Sequence, residues 1–140
     1  MKTLEVSTNG QLQYALLVHE GSDFSIRWTH SVEKEDWEEF FRIEQGTIYL
    51  ESTRFKTFGA GVPSDVGTGS FLKDGWVYMV GIHRFIGELD LLAGDDTNHR
   101  LMVNGQKLVL SRPPQETPYH FAVKKHPLVL ALYKVFIESR

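Results

Sequence analysis

Phe24-Ser25-Ile26-Arg27-Trp28-Thr29-His30 alternates apolar and polar residues without a break. Successive side chains of a strand point to opposite faces, so Phe24, Ile26, Trp28 and His30 share one face and Ser25, Arg27 and Thr29 the other. The first set reads as the buried face of a strand. Outward from this segment, turn signals recur at short intervals: Asn9-Gly10, Glu20-Gly21-Ser22-Asp23, Gln45-Gly46, Asp74-Gly75, Asp95-Asp96 and Asn104-Gly105. Asn-Gly and Asp-Gly readily take the positive φ that tight hairpins demand. Strands are expected near 3–8, 11–19, 23–31, 37–45, 47–57, 69–73, 76–83, 87–93, 99–103, 106–111 and 119–125. Short strands divided by such turns predict an all-β fold, a single-domain antiparallel β-sandwich or partly closed barrel over residues 1–140.

Leu101 to Leu110 reads as a hairpin, and Arg112-Pro113-Pro114 ends its pairing because proline offers no N–H to a ladder. In the tail, Leu128, Leu132, Val135 and Phe136 fit a helical stripe, whereas Val129, Val135 and Ile137 favour a strand. A short C-terminal helix covering one open end of the sheet is the reading taken.

The 140 residues are 41% hydrophobic and 24% charged, which suits one globular domain and disfavours disorder. A net charge of −3 lacks the broad positive field that phosphate binding needs, so no nucleic-acid partner is expected. The absence of cysteine excludes disulfides, thiolate catalysis and cysteine zinc sites. Met1 to Val6 has no apolar run behind its lysine and does not read as a signal peptide. Leu128 to Ile137 is shorter than the ~20 apolar residues of a spanning helix.

Four constellations bear on chemistry. In His30-Ser31-Val32-Glu33-Lys34-Glu35-Asp36-Trp37-Glu38-Glu39, His30 ends the buried face of its strand, and Glu39 shares a face with Trp37, Phe41 and Ile43. A carboxylate on an apolar face is costly without a partner, and His30 on the neighbouring strand is the expected one. Such a pair can poise a proton, hold a ligand, supply two metal ligands or simply fix a hairpin; the other acids read as a solvated turn. Phe58-Gly59-Ala60-Gly61-Val62-Pro63 offers N–H groups for an anion nest, or serves as a wide loop; it matches neither a dinucleotide fingerprint nor a P-loop. Arg54, His83-Arg84 and Asn98-His99-Arg100 are scattered cations and imidazoles, arginine being suited to carboxylate or phosphate recognition. Trp28, Trp37, Trp76, Tyr78, Phe40, Phe41, Phe55, Phe58 and Phe71 line either a cavity or, more plainly, the core.

His30-Ser31-Val32-Glu33-Lys34, Trp37-Glu38-Glu39-Phe40 and Thr53-Arg54-Phe55-Lys56-Thr57-Phe58-Gly59-Ala60-Gly61-Val62-Pro63, in this order, resemble the uncharacterised bacterial family known as domain of unknown function 1850. The resemblance covers about 24–110, with 111–140 as a C-terminal extension, and Asn98-His99-Arg100-Leu101 adds a weaker match. It implies an extracytoplasmic protein associated with TAXI-type TRAP transporters, with no established activity. Members often carry an N-terminal hydrophobic anchor or signal. This chain's first residues contain none, so membrane association is expected only through a missing N-terminal segment or a partner.

The expected function is a non-catalytic accessory or binding domain that touches a small anionic solute or a transporter subunit and needs no cofactor. Its candidate ligand-binding residues are His30, Ser31, Glu33, Glu39, Arg54, Gly59, Ala60, Gly61, Arg84 and His99. His30 would donate a hydrogen bond, Glu39 would orient it, and the loop N–H groups with Arg54 or Arg84 would receive negative charge. The alternatives are a metal-dependent enzyme or metal-binding protein, with His30, Glu39 and His83 or His99 on one ion, and a purely structural interaction module.

Overall fold

The computed structural model describes residues 1–29, 35–56, 69–94, 96–110 and 116–126. The strands are β1 (Lys2–Thr8), β2 (Gln11–Val18), β3 (Asp23–Thr29), β4 (Asp36–Glu44), β5 (Thr47–Lys56) and β6 (Gly69–Lys73), then β7 (Trp76–Val80), β8 (Arg84–Gly87), β9 (Leu89–Ala93), β10 (Arg100–Val103), β11 (Gln106–Val109) and β12 (Thr117–Lys125). They form two antiparallel sheets: a small one in the order β2-β1-β12-β9 and a large one in the order β11-β10-β3-β4-β5-β7-β6, with β8 also on β5. The architecture is an open sandwich, not a closed barrel. No helix occurs among the described residues, and the expected C-terminal helix lies outside them.

Local sequence explains the elements. Asn9-Gly10, Gln45-Gly46, Asp74-Gly75 and Asn104-Gly105 each hold φ between 51° and 81° at both positions. That is the backbone of the two-residue hairpin turn whose twist matches its flanking strands. The expected strand over 76–83 ends at Val80, because Gly81 and His83 both enter the positive-φ region; Arg84–Gly87 is then a separate strand on the first half of β5.

The core lies between the sheets. Leu4, Val6, Tyr119 and Phe121 of the small sheet meet Phe24, Ile26, Phe41, Ile43, Ile48 and Leu50 of the large one. Phe24 stacks on Phe41 within its sheet at 5.1 Å and on Phe121 across the interface at 6.4 Å. Each such buried side chain contributes roughly 1.5–3 kcal/mol from removal of apolar surface from water.

The alternation expected of β3 holds for Phe24 and Ile26, which are buried, and for Trp28, which is half-buried against the same core. The opposite face needs correction. Ser25 and Glu38 are buried as well, and Asp36 is half-buried, so these acids are not a solvated turn. The outer face of the large sheet carries its own packed layer of polar and aromatic side chains.

Candidate functional site

Glu39 sits in the middle of β4, opposite Ile26 on β3 and Thr53 on β5. Period two places it on the inner face with Trp37 and Phe41, as the sequence predicts. Its carboxyl group is pushed above the ordinary carboxylate range by burial, against an opposing field from Arg84. Among the described residues, no hydrogen bond or ion pair reaches it.

His99 enters the same space from the residue before β10. It is 8% exposed and stacks on Trp28, with ring centroids 5.7 Å apart and planes 6° from parallel. Its Nδ1 lies 2.7 Å from Thr97 Oγ1, and that hydroxyl is itself tied to the N–H and carbonyl of Gly94. Burial, helped by the neighbouring Arg100 charge, lowers the imidazole pKa from 6.5 to about 4, so the ring is neutral at neutral pH. Trp28 stacks in turn on Trp37 at 6.2 Å and Trp37 on Phe55 at 4.6 Å. The indole N–H of Trp37 is buried without a hydrogen-bond partner among the described residues.

Together these groups line a cleft of about 160 Å³ where β9, an edge of the small sheet, crosses the large sheet. Its walls are Ile26, Trp28, Glu39, Leu89, Asp90, Leu91, Leu92 and His99. Two expected site residues, Glu39 and His99, therefore share one cavity. The contribution of β9 was missed at sequence level. Its signal was the alternating Leu89-Asp90-Leu91, which reads equally well as ordinary strand.

Arg54 does not belong to this cleft. It faces Glu38 across the β4–β5 pairing and so projects from the opposite side of the sheet. There its Nε and Nη2 donate to Glu38 Oε1 at 2.9 and 2.6 Å, and Nη1 donates to Tyr78 Oη at 3.1 Å. Ser25 Oγ donates to the other Glu38 oxygen at 2.7 Å. The guanidinium lies 4.0 Å from the Trp76 ring centroid, with Arg27 and Lys56 each at 5.0 Å from the same ring. Arg27 and Thr29 both donate to Asp36. Arg54 is thus committed to an internal ion pair and does not face Glu39 or His99, contrary to the expected arrangement.

Arg84 is exposed at the start of β8 and reaches Glu39 only through its field. His30, Ser31, Glu33, Gly59, Ala60 and Gly61 lie outside the described residues, and so does the expected pairing of His30 with Glu39. The expected metal set includes His30 and so lies partly outside the described residues. Among the described residues, Glu44, Glu51 and His83 place one ligand atom each within 4.8 Å of one another. Glu51 is the extra residue of a bulge between β4 and β5, and it lies 2.9 Å from His83 Nδ1. His83 also stacks on Tyr49 at 4.9 Å. A second exposed imidazole, His120, is held between Asp90 and Glu88.

A family model described as a domain of unknown function, DUF1850, matches residues 24–110. That span runs from the start of β3 to the end of the β10–β11 hairpin and contains both Glu39 and His99. No curated protein and no solved structure gives a significant match.

Proposed function

The chain belongs to the DUF1850 family, and from that premise we propose that it is a non-catalytic binding domain, accessory to a TAXI-type TRAP transporter outside the cytoplasmic membrane, which takes a small solute in the cleft between its sheets. The observation that carries the binding role is the state of Glu39. Burial raises the cost of its charge, no bonded partner meets it among the described residues, and sandwich packing alone gives no reason to place an acid there. A ligand that pairs with the carboxylate does give a reason.

Catalysis fits the cleft less well. An imidazole whose pKa is about 4 is a weak general base near neutral pH, and its Nδ1 is engaged by Thr97. The transporter association and the compartment rest on the family resemblance.

Two measurements test the reading. In cells that carry the neighbouring transport genes, the chain should co-purify with membrane components of the transporter; its absence from that fraction would remove the accessory role. The Glu39→Gln and His99→Gln variants, shown to be folded by circular dichroism, should lose solute binding. Unchanged binding in both would place the site elsewhere.

A further inference from the structure

The charge of the cleft points to its ligand class, and this step rests on the binding role proposed above. Glu39 of the large sheet lines the cleft, while Asp90 borders it from the small sheet with its carboxylate 81% exposed. Asp90 is bonded on its outer side to His120, whereas Glu39 has no bonded partner among the described residues. The third polar group, His99, is neutral at neutral pH and brings no positive charge. Among the described residues no arginine or lysine lines the cleft: Arg54 pairs with Glu38 on the other face, while Arg84, exposed on β8, and Arg100, bonded to the Asn98 carbonyl, act on Glu39 and His99 through their fields. The remaining walls are apolar, from Ile26, Leu89, Leu91, Leu92 and the Trp28 ring.

We propose that the cleft binds a small aliphatic ammonium compound, its charged head on Glu39 and its hydrocarbon body against the β9 leucines. An anion would meet the Glu39 carboxylate and, among the described residues, no lining cation. A neutral alcohol would leave the desolvated charge of Glu39 uncompensated. A hard metal cation needs six or so oxygen ligands, and Glu39 belongs to no three-ligand cluster among the described residues. An ammonium group needs only one carboxylate and forms a charge-assisted hydrogen bond with it. A cleft of about 160 Å³ lies below the roughly 300–1,000 Å³ of pockets for drug-sized ligands, so the compound is a short-chain amine.

The test uses three probes of one shape and three charges: n-butylammonium, n-butanol and butyrate. Each is titrated into the full chain while the methyl resonances of Ile26, Leu89 and Leu91 and the indole resonance of Trp28 are followed by NMR. The expected result is that butylammonium binds about tenfold or more tightly than butanol, that butyrate leaves the cleft signals unmoved, and that Glu39→Gln abolishes the preference of butylammonium over butanol. The Gln side chain is nearly isosteric, and the variant's thermal midpoint reports whether it is folded. Butanol or butyrate binding at the cleft as tightly as butylammonium, or a preference that survives Glu39→Gln, overturns the ligand class and leaves the cleft as a binding site. If none of the three probes moves the cleft resonances, the proposal and the binding role beneath it both fall.

Discussion

Arg54→Ala gives the sharpest test of how the outer face of the large sheet is held. The Glu38 side chain is 7% exposed and that of Arg54 21%, so the pair sits largely out of water. Removing one partner of a buried ion pair typically costs about 3–5 kcal/mol, because the remaining charge is stranded. Ser25 Oγ still donates to Glu38 at 2.7 Å in the variant and limits the loss. Against that, the guanidinium also lies 4.0 Å from the Trp76 ring and donates to Tyr78, and both contacts disappear. We therefore expect a loss of about 3–4 kcal/mol in a urea titration, or roughly 10 °C in thermal midpoint. Adding Glu38→Gln removes the stranded charge, so the double variant should be more stable than Arg54→Ala alone, with a coupling of about 2 kcal/mol in the double-mutant cycle. Solute binding should be unaffected, because Arg54 projects away from the cleft. A loss below about 1 kcal/mol, or a strictly additive cycle, would refute the view that this pair organises the outer face.

Three further outcomes follow from the same geometry. Glu39→Gln should raise the stability of the ligand-free chain by about 1 kcal/mol at neutral pH in urea titrations, since it removes a charge that burial disfavours. Its folded-state pKa is raised, so the penalty carried by the native residue is absent below the ordinary value of 4.5 and grows as pH rises through the shifted value; the advantage of the variant should vanish on acidification. His99 should titrate with a midpoint of about 4 by NMR, well below the ordinary 6.5. Because its folded pKa is depressed, its contribution is present above pH 6.5 and is lost as pH falls towards 4, worth up to about 3 kcal/mol; His99→Gln should flatten that part of the stability profile, and an NMR midpoint near 6.5 would contradict its burial. Gly105→Ala meets open space at the new methyl group but must hold φ at +74°, so it should cost about 1 kcal/mol through backbone strain alone.

Much of the fold was legible because its signals are local. Each Xaa-Gly hairpin turn expected from the sequence occurs, and strand boundaries fall within a few residues of their expected places. Glu39 was legible for the same reason, since parity along 37–43 needs no knowledge of the partner strands. What was not legible depends on which strands lie side by side. Arg54 reads as an available cation until β4 and β5 are aligned in register, when Glu38 proves to be directly opposite it. The early end of the expected strand 76–83 at Val80 turns on Gly81 and His83 both taking positive φ, and nothing in the residue type of His83 announces its φ of 42°. The role of β9 depends on the crossing of two sheets, a long-range event with no local signature.

Glu38 and Glu39 are neighbours in sequence, and the fold treats them oppositely. Pleating sends the first to the outer face, where Ser25 and Arg54 satisfy both of its oxygens, and the second to the inner face, where nothing bonded answers it among the described residues. The strand is thus placed so that a buried carboxylate can be fully partnered, as Glu38 is, while half-buried Glu39 has no bonded partner among the described residues. An apolar residue at position 39 would suit the surrounding Ile26, Trp37 and Phe41 better than an acid does. The local conflict between Glu39 and its surroundings marks a position where stability has yielded to another demand. Leu or Met at that position should then give a more stable protein that binds nothing in its cleft. A Glu39→Met variant that is less stable than the native chain would show instead that the carboxylate serves the fold.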